Sequence, residues 1–137
     1  MTDLAAVRDF LRGHHRAILL TWRPDGTPHM SPVAVAVEPG GQAVISTRDG
    51  AVKARNVRAD PRVSLCVLSD AWFGPWVAVD GRAVVDDGPD VEEALVAYYR
   101  AVAGEHPDWS EYRASLRAEQ RVLLRVDLER VSASQLG

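Results

Sequence analysis

The sequence predicts an α+β fold of barrel-like class, with about six antiparallel strands and three or four appended helices. Three observations predict it. Apolar runs of strand length recur through residues 16–86 and again at 122–131. Tight-turn signals separate the first of them, Pro24-Asp25-Gly26-Thr27-Pro28 and Pro39-Gly40-Gly41, and call for hairpins. Helical periodicity is confined to a few segments between or beside those runs. At 137 residues the chain is expected to form one domain, 1–137, with a core that needs no staples.

Each element has its own signal. Thr2 or Asp3 can cap a first helix carrying Leu4, Val7 and Leu11 at helical spacing, with Gly13 at its end. Arg16 to Trp22 reads as a strand whose continuous apolar run suggests burial on both faces. His29 to Val37 is its hairpin partner; Pro32 within it cannot donate to a ladder and marks an edge or a bulge. Gln42 to Thr47 is a third strand. A turn at Asp49-Gly50 leads into a short basic helix that stops at Asp60-Pro61. Arg62 to Leu68 is strand four, and Asp70 to Pro75 a loop. Trp76 to Asp86 is strand five, whose Gly81 suits a bend or bulge. After Pro89, the stripe Val91, Ala94, Leu95, Tyr98, Tyr99 and Val102 marks a helix broken at 104–107. Another helix runs from about Asp108 to Ala118, and Val122 to Val131 is the last strand.

Composition narrows the function classes. Apolar and charged contents of 47% and 26% are those of an ordinary soluble domain. A net charge of −3 argues against a dedicated nucleic-acid binder. One cysteine, Cys66, excludes an internal disulfide and fits a reducing cytoplasm; in VSLCVL it reads as a buried, inert thiol. The polar start predicts no signal peptide, and no apolar run reaches membrane-span length. The four histidines have no metal spacing, so no metal site is expected. Nucleophile elbows, dinucleotide fingerprints and P-loops are all missing from the sequence. If the protein is an enzyme, a cofactor should carry the chemistry.

One stretch stands out. Residues 46–68 hold Arg48, Lys53, Arg55, Arg58 and Arg62 against only Asp49 and Asp60, a local +3 in an acidic chain. A helix start offers free amides and a positive dipole end, which suits a phosphate. Ser46 and Thr47 can add hydroxyls. Lys53 lies about one turn in, on a face shared with Asn56 and Val57, while Arg55 points elsewhere and suits another part of an extended ligand. A merely solvated basic helix is the plain alternative. Among the aromatics, Trp22 and Trp109 read as core or interface, and Tyr98 and Tyr99 as part of the helical core stripe. Trp72, Phe73 and Trp76, on or beside a loop, favour a ligand or a partner subunit. By default, His29 after its turn is a solvated surface residue.

Taken together, DGTPH, ISTRDGAVKARNVRADPRVSLCV, W-V-x-V-x-G-R-A, YYRAVAGEHPDWSEYRASL and RVLLRV resemble the pyridoxamine-phosphate-oxidase-like split β-barrel superfamily. Within it they are most similar to the actinobacterial branch that uses the deazaflavin coenzyme F420. The resemblance implies a six-stranded split barrel, forming a homodimer with a cofactor in each interface groove. It implies a phosphate held by Ser46, Thr47, the Val52 backbone and Lys53, with Arg55 and Asn56 nearby. The ring would lie along His29, Ser31, Pro32 and Val33. Trp76 and the 70–74 loop of the partner would close the groove. Relatives often carry a further cation where this chain has Ala51, and a polar side chain where it has Pro32. The implied activity is hydride transfer from reduced F420 to a conjugated small molecule, with no side-chain acid identifiable. FMN in the same groove, or a non-catalytic cofactor or tetrapyrrole binder, are the alternatives. Arg55, Arg58 and Arg62 are the cations expected to meet the acidic F420 tail.

Overall fold

The computed structural model describes residues 2–136. In chain order it comprises α1 (Leu4–Gly13), β1 (Arg16–Trp22), β2 (Pro28–Ala34), β3 (Ala36–Val37), β4 (Ala43–Arg48) and α2 (Val52–Ala59). β5 (Arg62–Leu68), β6 (Trp76–Asp86), α3 (Val91–Ala103), α4 (Trp109–Ala118) and β7 (Arg121–Gln135) follow. The Asp3 carboxylate caps α1 by accepting from the Ala6 N–H at 2.9 Å, and Asp108 does the same for α4 from Glu111 at 3.1 Å. Gly104, at φ 81°, ends α3 where a side chain would be strained. Among the described residues, no helix is long and apolar enough to cross a membrane.

All seven strands join one antiparallel sheet in the order β2-β1-β5-β6-β7-β4-β3. β2 and β3 stand at opposite ends of that order, yet only Val35 separates them in the chain. The sheet is therefore curled on itself. One side packs a core in which Val7 and Leu11 of α1, Val57 of α2 and buried residues of five strands, β1, β4, β5, β6 and β7, meet. A second cluster, Ala36, Val44, Leu95, Leu116 and Leu123, lies between the other face of the sheet and α3 and α4.

Three expectations are corrected. The expected strand 29–37 divides, giving seven strands instead of six. Its first part pairs with β1 as far as Ala34↔Arg16, and its second with β4 from Ala36↔Val44. The last strand runs on to Gln135, and β1 is buried on one face only. Ala17, Leu19 and Thr21 are enclosed, while Ile18, Leu20 and Trp22 are only partly buried, because the main core packs against the first side.

Gly81 meets its expectation. The β6–β7 register shifts between Asp80 and Gly81, and a Cβ at Gly81 would lie 2.3 Å from the Asp127 carbonyl oxygen. Pro32 likewise sits on β2, an end strand of the ladder, opposite Ile18.

Candidate functional site

Ala51 is the N-cap of α2 and supplies no side-chain cap. The amides of its first turn stay open to an acceptor from outside the helix. The cations around it are fewer than the sequence suggests. Arg48 pairs with Glu119 at 3.0 Å, and Arg58 pairs with Asp49 and, at 3.5 Å, with Asp87. Asp60 grips Arg62 with both oxygens, at 3.1 and 2.8 Å. Those guanidinium hydrogen bonds, with one from the Arg62 backbone N–H, hold the Asp60 carboxyl at about 2. Arg58 and Arg62, expected to meet an acidic tail, are instead matched by the protein's own carboxylates. Lys53 and Arg55 make no ion pair among the described residues. Lys53 is half buried and Arg55 exposed, and they lie two positions apart on the helix.

Asn56, one turn after Lys53, turns inward. It is 4% exposed and donates its Nδ2 to the Thr21 hydroxyl at 3.0 Å. That bond ties α2 to β1. Replacing Asn56 with alanine should cost about 1–3 kcal/mol, because it strands a buried hydroxyl; urea denaturation of the two proteins measures the difference.

Thr21 also stands opposite His29 in the β1–β2 ladder, and Leu19 opposite Ser31. His29, Ser31 and Val33 therefore share the side of the ladder that α2 covers. Val33 packs on the core. His29 Nδ1 and Ser31 Oγ are buried with no hydrogen-bond partner among the described residues. Leaving such atoms unpaired is costly, and proteins rarely do it without a reason at the site. The default reading of His29 as a solvated surface residue gives way to a half-buried ring.

β2 and β4 approach within 8 Å between Cα atoms, but no ladder bonds join them. The ladder is thus open between β2 and the end of β4. On β4, Thr47 is buried and falls on the side of Ala43 and Ile45 in the main core; Ser46 falls on the side of Val44, under α3. His29, Ser31 and Asn56 thus lie on the side of the sheet that α2 covers, with Lys53 one turn before Asn56; Thr47 faces the main core, and Ser46 is on the other face of β4. Val52 is exposed at the helix start, and Pro32 is exposed.

Trp76 is not brought to this group within one chain. It lies on β6, three strands from β2, paired with Leu68 and Gln135. The adjoining loop projects Trp72 and Phe73, 80% and 95% exposed, in edge-to-face contact. Cys66 is half buried, and burial pushes its thiol up, against thiolate formation. No cluster of three His, Cys, Asp or Glu suited to a metal ion occurs among the described residues.

Sequence reading missed Tyr98. It fits the α3 core stripe, but its hydroxyl donates to the Ala34 carbonyl at 2.9 Å, where β2 parts from β4. The available signal was the phenol itself: a buried tyrosine hydroxyl needs a partner.

Comparison with known proteins gives these features a lineage. The family model described as pyridoxamine 5'-phosphate oxidase matches residues 4–135. The chain belongs to that family. The family chain is 34% identical over 127 residues to the F420H2-dependent biliverdin reductase of Mycobacterium tuberculosis, spanning 91% of this chain and 83% of that protein. It resembles the crystal structure of a conserved hypothetical protein from Mycobacterium tuberculosis with a TM-score of 0.76 and 27% identity, over 96% of this chain and 83% of that one. A solved F420 reductase shares the fold at a TM-score of 0.69 and 21% identity, over 95% and 96% of the two chains.

Proposed function

We propose that this protein is an F420H2-dependent reductase of conjugated small molecules, with a linear tetrapyrrole of the biliverdin kind as its acceptor. The single observation that carries this reading is the pair of orphaned polar atoms, His29 Nδ1 and Ser31 Oγ, on the side of the ladder that α2 covers. They fit the polar edge of a heteroaromatic ring, and the helix end fits the phosphate attached to it. The identity to a biliverdin reductase supports the choice of cofactor and acceptor. The bound deazaflavin would supply a hydride from its C5 carbon.

The chain's own residues bind, orient and enclose. Lys53 and the amides from Val52 onward grip the phosphate, with Ser46 and Thr47 at the strand end. His29 and Ser31 hold the ring edge, Pro32 and Val33 offer it backbone, and Asn56 keeps α2 in place. Arg55 is left to meet tail carboxylates. The curled seven-stranded sheet is read as a split barrel, with the chain passing from β2 to β3 at Val35. Two copies are proposed to pair through the half-exposed side of Ile18, Leu20, Cys66 and Leu68, so that Trp76 and the 70–74 loop of each copy close the groove of the other. This excludes water and holds the acceptor at near-attack distance.

The pairing of Arg58 and Arg62 favours a second reading, an FMN-dependent oxidoreductase, because one terminal phosphate needs fewer cations than a carboxylate tail. Fluorescence titration of the purified protein with F420 and with FMN separates the two. Tighter binding of F420, followed by F420H2 oxidation on adding biliverdin, is the expected result. Tight FMN binding with no F420 binding overturns the proposal.

A further inference from the structure

We infer that Tyr98 is a positioning residue: its hydroxyl wedges β2 away from β4 and so sets the width of the proposed cofactor groove, an inference that rests on placing the cofactor there. The β3–β4 ladder pairs Val37 with Ala43 and Ala36 with Val44. In an antiparallel ladder, each further step back along one strand is a step forward along the other. Two steps further Ala34 would face Ser46, but the ladder stops at Ala36↔Val44. The Tyr98 phenol reaches across from α3 at this point. Its O–H donates to the Ala34 carbonyl at 2.9 Å. The Ser46 backbone N–H is aimed at the Tyr98 phenol oxygen, opposing the upward push that burial gives the phenol.

A hydroxyl thus stands where a direct strand-to-strand bond would form. Two hydrogen bonds in series around one oxygen span roughly 4.7 Å, against about 2.9 Å for a direct N–H···O bond. The other flank of the parting is fixed too. Val35 donates to the His15 carbonyl at 2.8 Å, and His15 Nδ1 lies 2.8 Å from the Val35 carbonyl, to which it can only donate. Val35 is thereby held toward β1. The Tyr98 ring packs on the Ala36, Val44, Leu95 and Leu123 cluster, so the wedge rests on a rigid base.

Tyr98→Phe keeps that packing and removes only the bridge. Tyr112→Phe is the control, since Tyr112 donates to the Leu95 carbonyl at 3.3 Å within the same helix pair, away from the opening. Two readouts are made: hydrogen exchange and chemical shift of the Ser46 amide in the ligand-free protein, and the F420 dissociation constant. In Tyr98→Phe the Ser46 amide should change and the dissociation constant should rise about fivefold, the order expected for one neutral hydrogen bond. Neither should change in Tyr112→Phe. An unaltered Ser46 amide in Tyr98→Phe, an altered amide with unchanged affinity, or equal weakening in both variants overturns the wedge. If the wild-type protein fails to bind F420, the cofactor reading falls, and the Ser46 amide alone then decides the wedge.

Discussion

Replacing Lys53 with alanine is expected to raise the dissociation constant for F420 by about tenfold to a hundredfold. A hydrogen bond to a charged group contributes about 1.5–3 kcal/mol, and each 1.4 kcal/mol or so is tenfold in affinity. The effect should be concentrated at this residue. Arg48, Arg58 and Arg62 are held by Glu119, Asp49 and Asp60, leaving Lys53 as the half-buried cation beside the open end of α2. It should also be confined to binding, because Lys53 makes no ion pair among the described residues whose loss would loosen the fold. Fluorescence titration gives the affinity and thermal unfolding the control. An unchanged dissociation constant at an unchanged melting temperature removes Lys53 from the site. Loss of both together shows a structural residue instead.

Substituting Gly81 with alanine is expected to destabilise the fold by about 3 kcal/mol, toward the upper end of what overpacking costs. The added methyl would sit 2.3 Å from the Asp127 carbonyl oxygen and 3.0 Å from the Val126 side chain. The first obstacle is backbone, which cannot rotate aside as a side chain would. β6 and β7 would have to part at the register shift, and both lie mid-sheet, so their neighbours would be disturbed as well. Urea denaturation measures the loss. A midpoint near that of the wild type would show that the close approach at Gly81 is relaxed in solution.

The readable parts of this fold were those with local chemical causes. Asp3 announces a helix start, Pro24 to Pro28 a hairpin, Pro32 an outer strand and Gly81 a crowded crossing, each because one side chain permits or forbids a backbone geometry. The division at Val35 has no such cause. Val33-Ala34-Val35-Ala36-Val37 is uniform, and the strand divides because its two halves find different partners, β1 and β4. The same limit explains the cations. Counting charge along 46–68 gives +3, but Asp49 and Asp60 fold back onto Arg58 and Arg62, and Glu119, from the far end of the sequence, meets Arg48. Of the proposed site, the β4–α2 junction was legible from its turn, its hydroxyls and Lys53. The inward role of Asn56 and the bridge made by Tyr98 were not, because each depends on a partner 35 or more residues away.

The parting at Val35 also bears on how the protein survives without a ligand. β2 is left with one row of backbone groups not engaged by a neighbouring strand, the kind of template on which chains nucleate into fibrils. Pro32 removes a donor from the middle of that row, and the curl of the sheet turns it toward β4 instead of outward. The geometry that parts β2 from β4 thus also guards that edge against intrusion by another molecule's strand.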